Sequence, residues 1–314
     1  MARFLVTGGA GFIGSSLVRE IVSRGEEARV LDNFSTGKRE NLHPFSGRIE
    51  VLEGSVDDPR LVERAMEGVD YVLHQAALPS VQRSVESPLE SNASNLTGTL
   101  VLLEAARRAK VRRFVYASSS SVYGDSPTLP KVETMPTDPL SPYAVGKLGG
   151  ELYCRVFHRL HHLETVSLRY FNVFGPGQSP DSQYAAVLPR FIAALKAGES
   201  PVIYGDGRQT RDFTYIQNVV QANLAACAAG REAAGESFNI AFGARVSLLE
   251  LLEKMAALRG IPAQPRFEAG RKGDVRDSLA DVGKARRLLG YRPEVSLDEG
   301  LRRTLEALGA LGTA

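Results

Sequence analysis

Two textures alternate along the chain. Short, continuous apolar runs are separated by longer stretches in which apolar positions recur every three or four residues. The first pattern suits strands buried on both faces, and the second suits helices packing one face against them. Strands are predicted over 3–7, 28–31, 49–53, 71–74, 114–118 and 165–170, and helices near 12–24, 59–66, 88–109 and 142–160. Strand and helix in steady alternation predict an α/β fold: a doubly wound parallel sheet of the Rossmann type with crossover helices. After Asn172 the turn-rich FGPGQSP interrupts the pattern, and short strands then mix with helices near 186–197, 248–259 and 297–308. The expected organisation is a larger domain over 1–171 and a smaller, interleaved C-terminal α/β domain over 172–314. A further strand candidate, 237–241, makes the region 211–241 an expected return segment of the main sheet.

Composition narrows this picture. With 314 residues, 43% hydrophobic, the chain can bury a sizeable core. A formal net charge of +2 is too small to select nucleic acid or an anionic membrane as the main partner. The chain opens on a strand, with no basic segment and apolar stretch before it and no run of membrane-spanning length, so the expectation is a cytoplasmic protein that neither enters a membrane nor binds nucleic acid. Cys154 and Cys227 are too few for a disulfide framework or a zinc cluster and read as reduced packing residues. No metal site is expected. His158, His161 and His162 read as a solvated helix end, and His74, closing a buried strand, as a satisfied core histidine.

TGGAGFIG, residues 7–14, falls between the first strand and the first helix. Glycines there permit a tight turn and close approach of backbone to a pyrophosphate, and a helix N-terminus offers its unpaired N–H groups to the anion. Asp32 follows Gly14 by eighteen residues, at the end of the second strand. An acid there suits a ribose diol and repels a 2′-phosphate, which favours NAD over NADP even with Lys38 and Arg39 nearby. A second pattern lies further on. Tyr143 and Lys147, four apart on a predicted helix, share one face and follow the serine run 118–121. A cation beside a phenol favours the phenolate and so suits proton transfer, although the same spacing also occurs on solvated helix faces.

With these pieces the chain resembles the extended short-chain dehydrogenase/reductase family, and within it the nucleotide-sugar 4-epimerases. The likeness runs through HQAA at 74–77, ASSSSVYG at 117–124, SPYAVGK at 141–147, LRYFNVFGP at 168–176, RDFTYI at 211–216 and RKGDVRDS at 271–278. It implies a catalytic set of Ser119, Tyr143 and Lys147: Tyr143 as base, Lys147 lowering its pKa and holding the nicotinamide ribose, Ser119 bonding the reacting hydroxyl. For the NAD cofactor it implies Gly8, Gly11, Phe12, Ile13, Gly14 and Asp32 around the pyrophosphate and ribose, Asn33, Ser35, Thr36 and Gly37 along the adenosine ribose, Val56 at the adenine, and Gln75, Ala76, Ala77, Asn95 and Tyr170 with Tyr143 and Lys147 on the remaining side. Ser55 stands where relatives often carry Asp at the adenine.

On the substrate side the resemblance implies a UDP-sugar held by Ser119, Ser120, Tyr143, Asn172, Tyr204, Arg211, Arg271, Asp274 and Ser278. The arginines face the diphosphate, Tyr204 stacks on the pyrimidine, and Asp274 takes the uridine ribose. Ser278 is small where epimerases confined to unacetylated hexoses tend to carry a bulky aromatic. With the segment 183–189, that points to UDP-N-acetylglucosamine; UDP-glucose is the alternative, tempered towards by Pro79, and UDP-glucuronate stays open. Ser120 and Ser121 replace the Asp-Glu pair of 4,6-dehydratases. A non-catalytic NAD-binding sensor is the reading of another class, opposed by the Tyr/Lys pair. By the same resemblance, the helices over 88–109 and 142–160 imply a homodimer.

Overall fold

The computed structural model describes residues 1–178, 187–270 and 275–311. Seven strands form one parallel sheet: β1 (Arg3–Thr7), β2 (Glu27–Asp32), β3 (Ile49–Glu53), β4 (Tyr71–His74), β5 (Arg113–Ser119), β6 (Thr165–Tyr170) and the returning strand Glu236–Ile240. Their order across the sheet is returning strand, β6, β5, β4, β1, β2, β3. Succession reverses direction beside β1, and in such sheets ligands bind in the crevice at the carboxyl ends of the strands on either side of that reversal.

The helices are α1 (Phe12–Ser23), α2 (Pro59–Ala65), α3 (Val81–Glu86), α4 (Pro88–Asn92), α5 (Gly98–Ala109) and α6 (Pro142–His161). Alternate residues of each strand point to opposite layers. Phe4, Val6, Val30, Val115 and Ala117 join Leu17, Val18 and Ile21 of α1 and Val219 and Ala222 of the later helix Ile216–Ala228 in one core. Leu5, Leu31, Phe114 and Tyr116 join Val62 of α2, Leu102 and Ala106 of α5, and Cys154 and Phe157 of α6 in the other. Near-continuous apolar strands are what a sheet covered on both faces requires.

The single helix expected over 88–109 is instead α4, a stretch of wider π-type turns over Ala93–Thr97, and α5. The wider turns carry Asn95 inward, where its side-chain oxygen accepts from Leu78 N (2.8 Å) and its amide donates to Leu78 O (3.3 Å) and Ser91 Oγ (3.3 Å). The later part of the chain adds short strand pairs: Val202–Tyr204 with Arg266–Glu268, Thr210–Arg211 with Val246–Ser247, and Val173–Phe174 with Thr214–Tyr215. It also contains the helices Val187–Ala197, Leu248–Arg259 and Leu297–Ala307. Ser247 and Glu250 close a reciprocal capping box at the start of the second of these. Among the described residues no helix is long and apolar enough to cross a membrane.

Candidate active site

The glycine loop follows directly from β1. Gly8 lies at φ +66°, and a Cβ there would fall 2.7 Å from the backbone nitrogen of Ala76, so the loop can lie against the strand-end after β4 only as glycine. At Gly14 a Cβ would fall 2.1 Å from the carbonyl oxygen of Gly8, which brings α1 tight against the turn. No side chain caps α1, and its first turn holds no acid. Its N–H groups are thus open to an anion. Phe12 and Ile13 anchor this turn against the first core.

Asp32, buried at the end of β2, accepts from Ala10 N (2.8 Å) on one oxygen and from Phe34 N (2.8 Å) on the other. It thereby joins the glycine loop to the loop 33–37, where Gly37 leaves room for Ala10 and the Asp32 carboxylate. Asn33, Ser35 and Thr36 are exposed on that loop, and Asn33 Oδ1 accepts from Ser35 N (3.1 Å). The crevice fits a dinucleotide: a glycine turn of close backbone approach, an uncapped helix end and a carboxylate one strand away. Val56 is fully inside the second core, packed against Gly98. Its side chain is a wall of that core.

His74 ties the loop to α5. Thr99 Oγ1 spends its hydrogen on Asn95 O (2.8 Å), so it accepts from His74 Nε2 (2.9 Å); His74 Nδ1 then accepts from Thr7 Oγ1 (2.7 Å). Burial, followed by the charge of Lys147, pulls this imidazole down to about 3, so it stays neutral. Asn95, expected beside the cofactor, is 1% exposed and bonds Leu78 and Ser91, which fastens the segment after Gln75, Ala76 and Ala77 to the helical layer. Gln75 and Tyr170 come together as expected neighbours, yet their side chains bond each other (3.2 Å) and Asn223, whose amide donates to the Tyr170 hydroxyl (2.8 Å). Ala76 N donates to Thr7 Oγ1 (3.3 Å), and Ala77 is half-buried beside it.

Ser119, Tyr143 and Lys147 meet at the carboxyl end of β5. Ser119 Oγ accepts from Ser121 N (3.2 Å) and Ser121 Oγ (2.9 Å), leaving its own hydrogen for Tyr143, with which it is hydrogen-bonded. Ser120 opens the short helical turn that follows and is half-buried. Ser141 caps α6 by accepting from Ala144 N (3.1 Å) and so sets the helix phase that turns Tyr143 and Lys147 inward. Lys147 is 4% exposed; its Nζ donates to Ala117 O (2.7 Å) and lies 5.9 Å from the centre of the Tyr143 ring. Burial pulls this ammonium down to about 7.

The direction expected for Tyr143 is reversed. Burial pushes its phenol above the ordinary value, and the bond from Ser119 offsets this only in part. Lys147 is itself desolvated, with its Nζ on the Ala117 carbonyl and 5.9 Å from the centre of the Tyr143 ring.

The substrate-side residues form two groups. Asn172, at φ +32°, donates from Nδ2 to Ser278 Oγ (3.1 Å) and to Asp212 O (3.0 Å), so two expected residues are brought together around a third that was not expected. Arg211 donates from Nη1 to the carbonyls of Thr210 and Arg276 (2.9 Å each), beside that group in sequence. Tyr204 lines a cavity of about 500 Å³ with Arg190, Glu199 and Arg266, its ring 5.2 Å from the Arg190 guanidinium. Arg271, Asp274 and residues 183–186 of the segment used for the sugar argument lie outside the described residues.

Sequence reasoning missed Asp212, Asn223 and Glu151. Glu151 extends the Tyr143/Lys147 face by one more turn. It accepts from Arg169 Nη2 (2.7 Å) and Nε (2.9 Å), from Ser118 and from Ser237 Oγ (3.1 Å). For Asn223 and Glu151 the available signal was a polar or charged residue among mostly apolar and small neighbours; Asp212, beside Arg211 in a polar stretch, offered none of this kind. The three histidines near the end of α6 do not converge: His158 Nδ1 bonds Leu163 O (3.2 Å) while His161 packs edge-on to Phe157. Among the described residues no group of three or more His, Cys, Asp or Glu is arranged to hold a metal ion, and both cysteines are free.

Residues 4–241 match the family described as NAD dependent epimerase/dehydratase. The chain belongs to that family. Within this epimerase/dehydratase family it is 41% identical over 308 residues to a UDP-glucose 4-epimerase of Mycolicibacterium smegmatis, covering 97% of each chain. A UDP-N-acetylglucosamine 4-epimerase from Methanobrevibacter ruminantium, solved with UDP-N-acetylmuramic acid, superposes with TM-score 0.94 at 37% identity, covering 98% of each chain. The Thermus thermophilus UDP-glucose 4-epimerase in complex with NAD gives 0.88 at 36%, covering 98% of this chain and all of that one. Other epimerase/dehydratase relatives are named for glucuronate epimerisation and for 4,6-dehydration. Likeness alone therefore leaves reaction and sugar to the site.

Proposed function

We propose that the protein inverts C4 of a UDP-hexose through a 4-keto sugar, with UDP-N-acetylglucosamine as its main substrate and NAD retained through turnover. The observation that carries this reading is the convergence of Ser119, Tyr143 and Lys147 beside a crevice that fits a dinucleotide. When bound, NAD supplies a hydride acceptor that returns what it takes, together with a positive charge that favours the phenolate. Tyr143 takes the proton of the C4 hydroxyl and later gives it back; Ser119 orients that hydroxyl; Lys147 holds the cofactor ribose and adds its charge once turned towards it. The serines at 119–121 offer hydroxyls where elimination of water needs a carboxylic acid, which favours epimerisation over dehydration.

For the sugar, Ser278 supports an acetamido group: its oxygen already accepts from Asn172 and from Asp212 N (3.3 Å), leaving its hydrogen for a ligand carbonyl and no bulk beyond it. A second reading, UDP-glucose, draws on the 41% identity to the Mycolicibacterium protein. Purified protein would be incubated separately with UDP-N-acetylglucosamine, UDP-glucose and UDP-glucuronate, and the anomeric proton signals followed. Conversion of the acetylated sugar is expected; turnover of glucuronate alone would sink the argument from Ser278.

The helices α3, α4 and α6 carry exposed Val85 (62%), Leu89 (86%), Leu152 (48%), Val156 (44%) and Leu160 (69%). On α6 these recur at four-residue steps along one face, which supports a homodimer through a bundle of these helices.

A further inference from the structure

Asp212 is completely buried between Arg211 and Phe213. Its carboxylate is met by backbone donors: Phe242 N and Gly243 N reach Oδ1, and Gly243 N and Ala280 N reach Oδ2, each at 3.2 Å. Its own backbone is equally occupied, with its N–H donating to Ser278 Oγ (3.3 Å) and its carbonyl accepting from Asn172 Nδ2 (3.0 Å). Three chain segments far apart in sequence, at 172, at 242–243 and at 278–280, thus close on one residue. Burial pushes this acid up to about 7 and the backbone N–H bonds pull it back only in part; in its ionised form, which those four bonds favour, it accepts on both oxygens and presents no hydrogen. An amide in its place would turn its NH2 towards Phe242 N or Ala280 N, donor against donor, and leave a buried N–H without an acceptor.

We infer that Asp212 is a positioning residue for the sugar pocket: it fixes Ser278 against Asn172, so that the room and the hydroxyl beside the C2 substituent depend on a buried side chain. This deepens, and rests on, the UDP-sugar reading above. Ser278 stands two residues from Ala280, whose N–H the carboxylate holds, and shares Asn172 with the Asp212 carbonyl. Displacement of the 278–280 segment therefore reaches the acetamido side of the pocket before it reaches Tyr143 or Ser119.

The test uses the NAD-loaded full chain and measures dissociation constants for UDP-N-acetylglucosamine and UDP-glucose, kcat on whichever is turned over, and NAD retained per chain. Asp212→Asn is expected to weaken UDP-N-acetylglucosamine about tenfold and UDP-glucose less than about threefold, with NAD retention unchanged. Gly243→Ala serves as a second, milder variant: at φ +85° alanine is strained, yet its Cβ would meet nothing closer than 3.7 Å, so it shifts the amide that bonds Asp212 without crowding. The same preferential loss is expected there, and it decides alone if Asp212→Asn does not fold. Equal weakening of both sugars, or loss of NAD, would mark a general structural role and overturn the inference, as would dissociation constants unchanged in both variants. If the unmodified protein binds neither sugar, the functional reading itself falls; if it binds them and the preference does not move, only the positioning role does.

Discussion

At the scale of single residues, the opposing pulls on Tyr143 and Lys147 organise the chemistry. Burial raises the phenol and lowers the ammonium to about 7, so in the absence of a bound cation both groups favour their neutral forms. For Lys147 the unfolded chain keeps a proton, up to its ordinary 10.5, that the folded chain has released above about 7. Stability therefore rises with pH through that window, and the full cost of the buried charge is present below it. Lys147→Met removes the charge. In thermal unfolding of NAD-free protein the variant should gain most over the parent below about pH 7, with the difference shrinking towards pH 10; a gap that stays constant across this range would contradict a desolvated lysine. Tyr143→Phe should lower kcat by about 10³-fold with little change in Tm, since the lost hydroxyl bonds only Ser119 among the contacts seen here and general acid–base groups contribute about 10²–10⁴. A kcat within tenfold of the parent would reassign the base.

Elements are held in register by buried polar pairs as much as by apolar faces. Glu151 of α6 and Arg169 of β6 are 2% and 3% exposed and, with Ser118 and Ser237, join α6 to β5, β6 and the returning strand. Removing one partner strands a charge. Glu151→Ala should cost about 3–5 kcal/mol in urea unfolding, whereas Glu151→Leu combined with Arg169→Leu should cost clearly less; additive losses would show that the pair is not coupled. Polar residues of this kind also explain which elements could be read from sequence. Strands and α1, α2 and α6 follow their periodicity closely. The helix Ile216–Ala228 was not anticipated because its polar residues face inward: Asn218 Oδ1 accepts from Glu294 N (3.1 Å) and Val295 N (3.0 Å), and Asn223 bonds Tyr170. Burial on several sides erases the one-faced apolar stripe on which such a reading depends. The break at Ala93–Thr97 was hidden for a similar reason, since Asn95 serves a loop distant in sequence.

For the whole molecule, the apolar stripe on α6 and the exposed Val85 and Leu89 are features that pairing through these helices would cover. Leu89→Lys with Val156→Lys should convert a sedimenting dimer into a monomer without loss of helix content; a parent protein already monomeric at micromolar concentration would end the dimer proposal. What the sequence determined by itself is what depends on local pattern: the alternation of strand and helix, the glycine turn, Asp32 one strand away, and the four-residue step from Tyr143 to Lys147. These follow from backbone sterics and periodicity, which neighbours in the chain impose on one another. Only the tertiary structure decided where charges come to rest. It buried Lys147 against Ala117, bound Asn95 to Leu78, and gathered Asn172, Ser278 and the segment at 242–243 onto Asp212. Desolvation and hydrogen-bond geometry depend on groups brought together from distant parts of the chain, and no window of local sequence contains them.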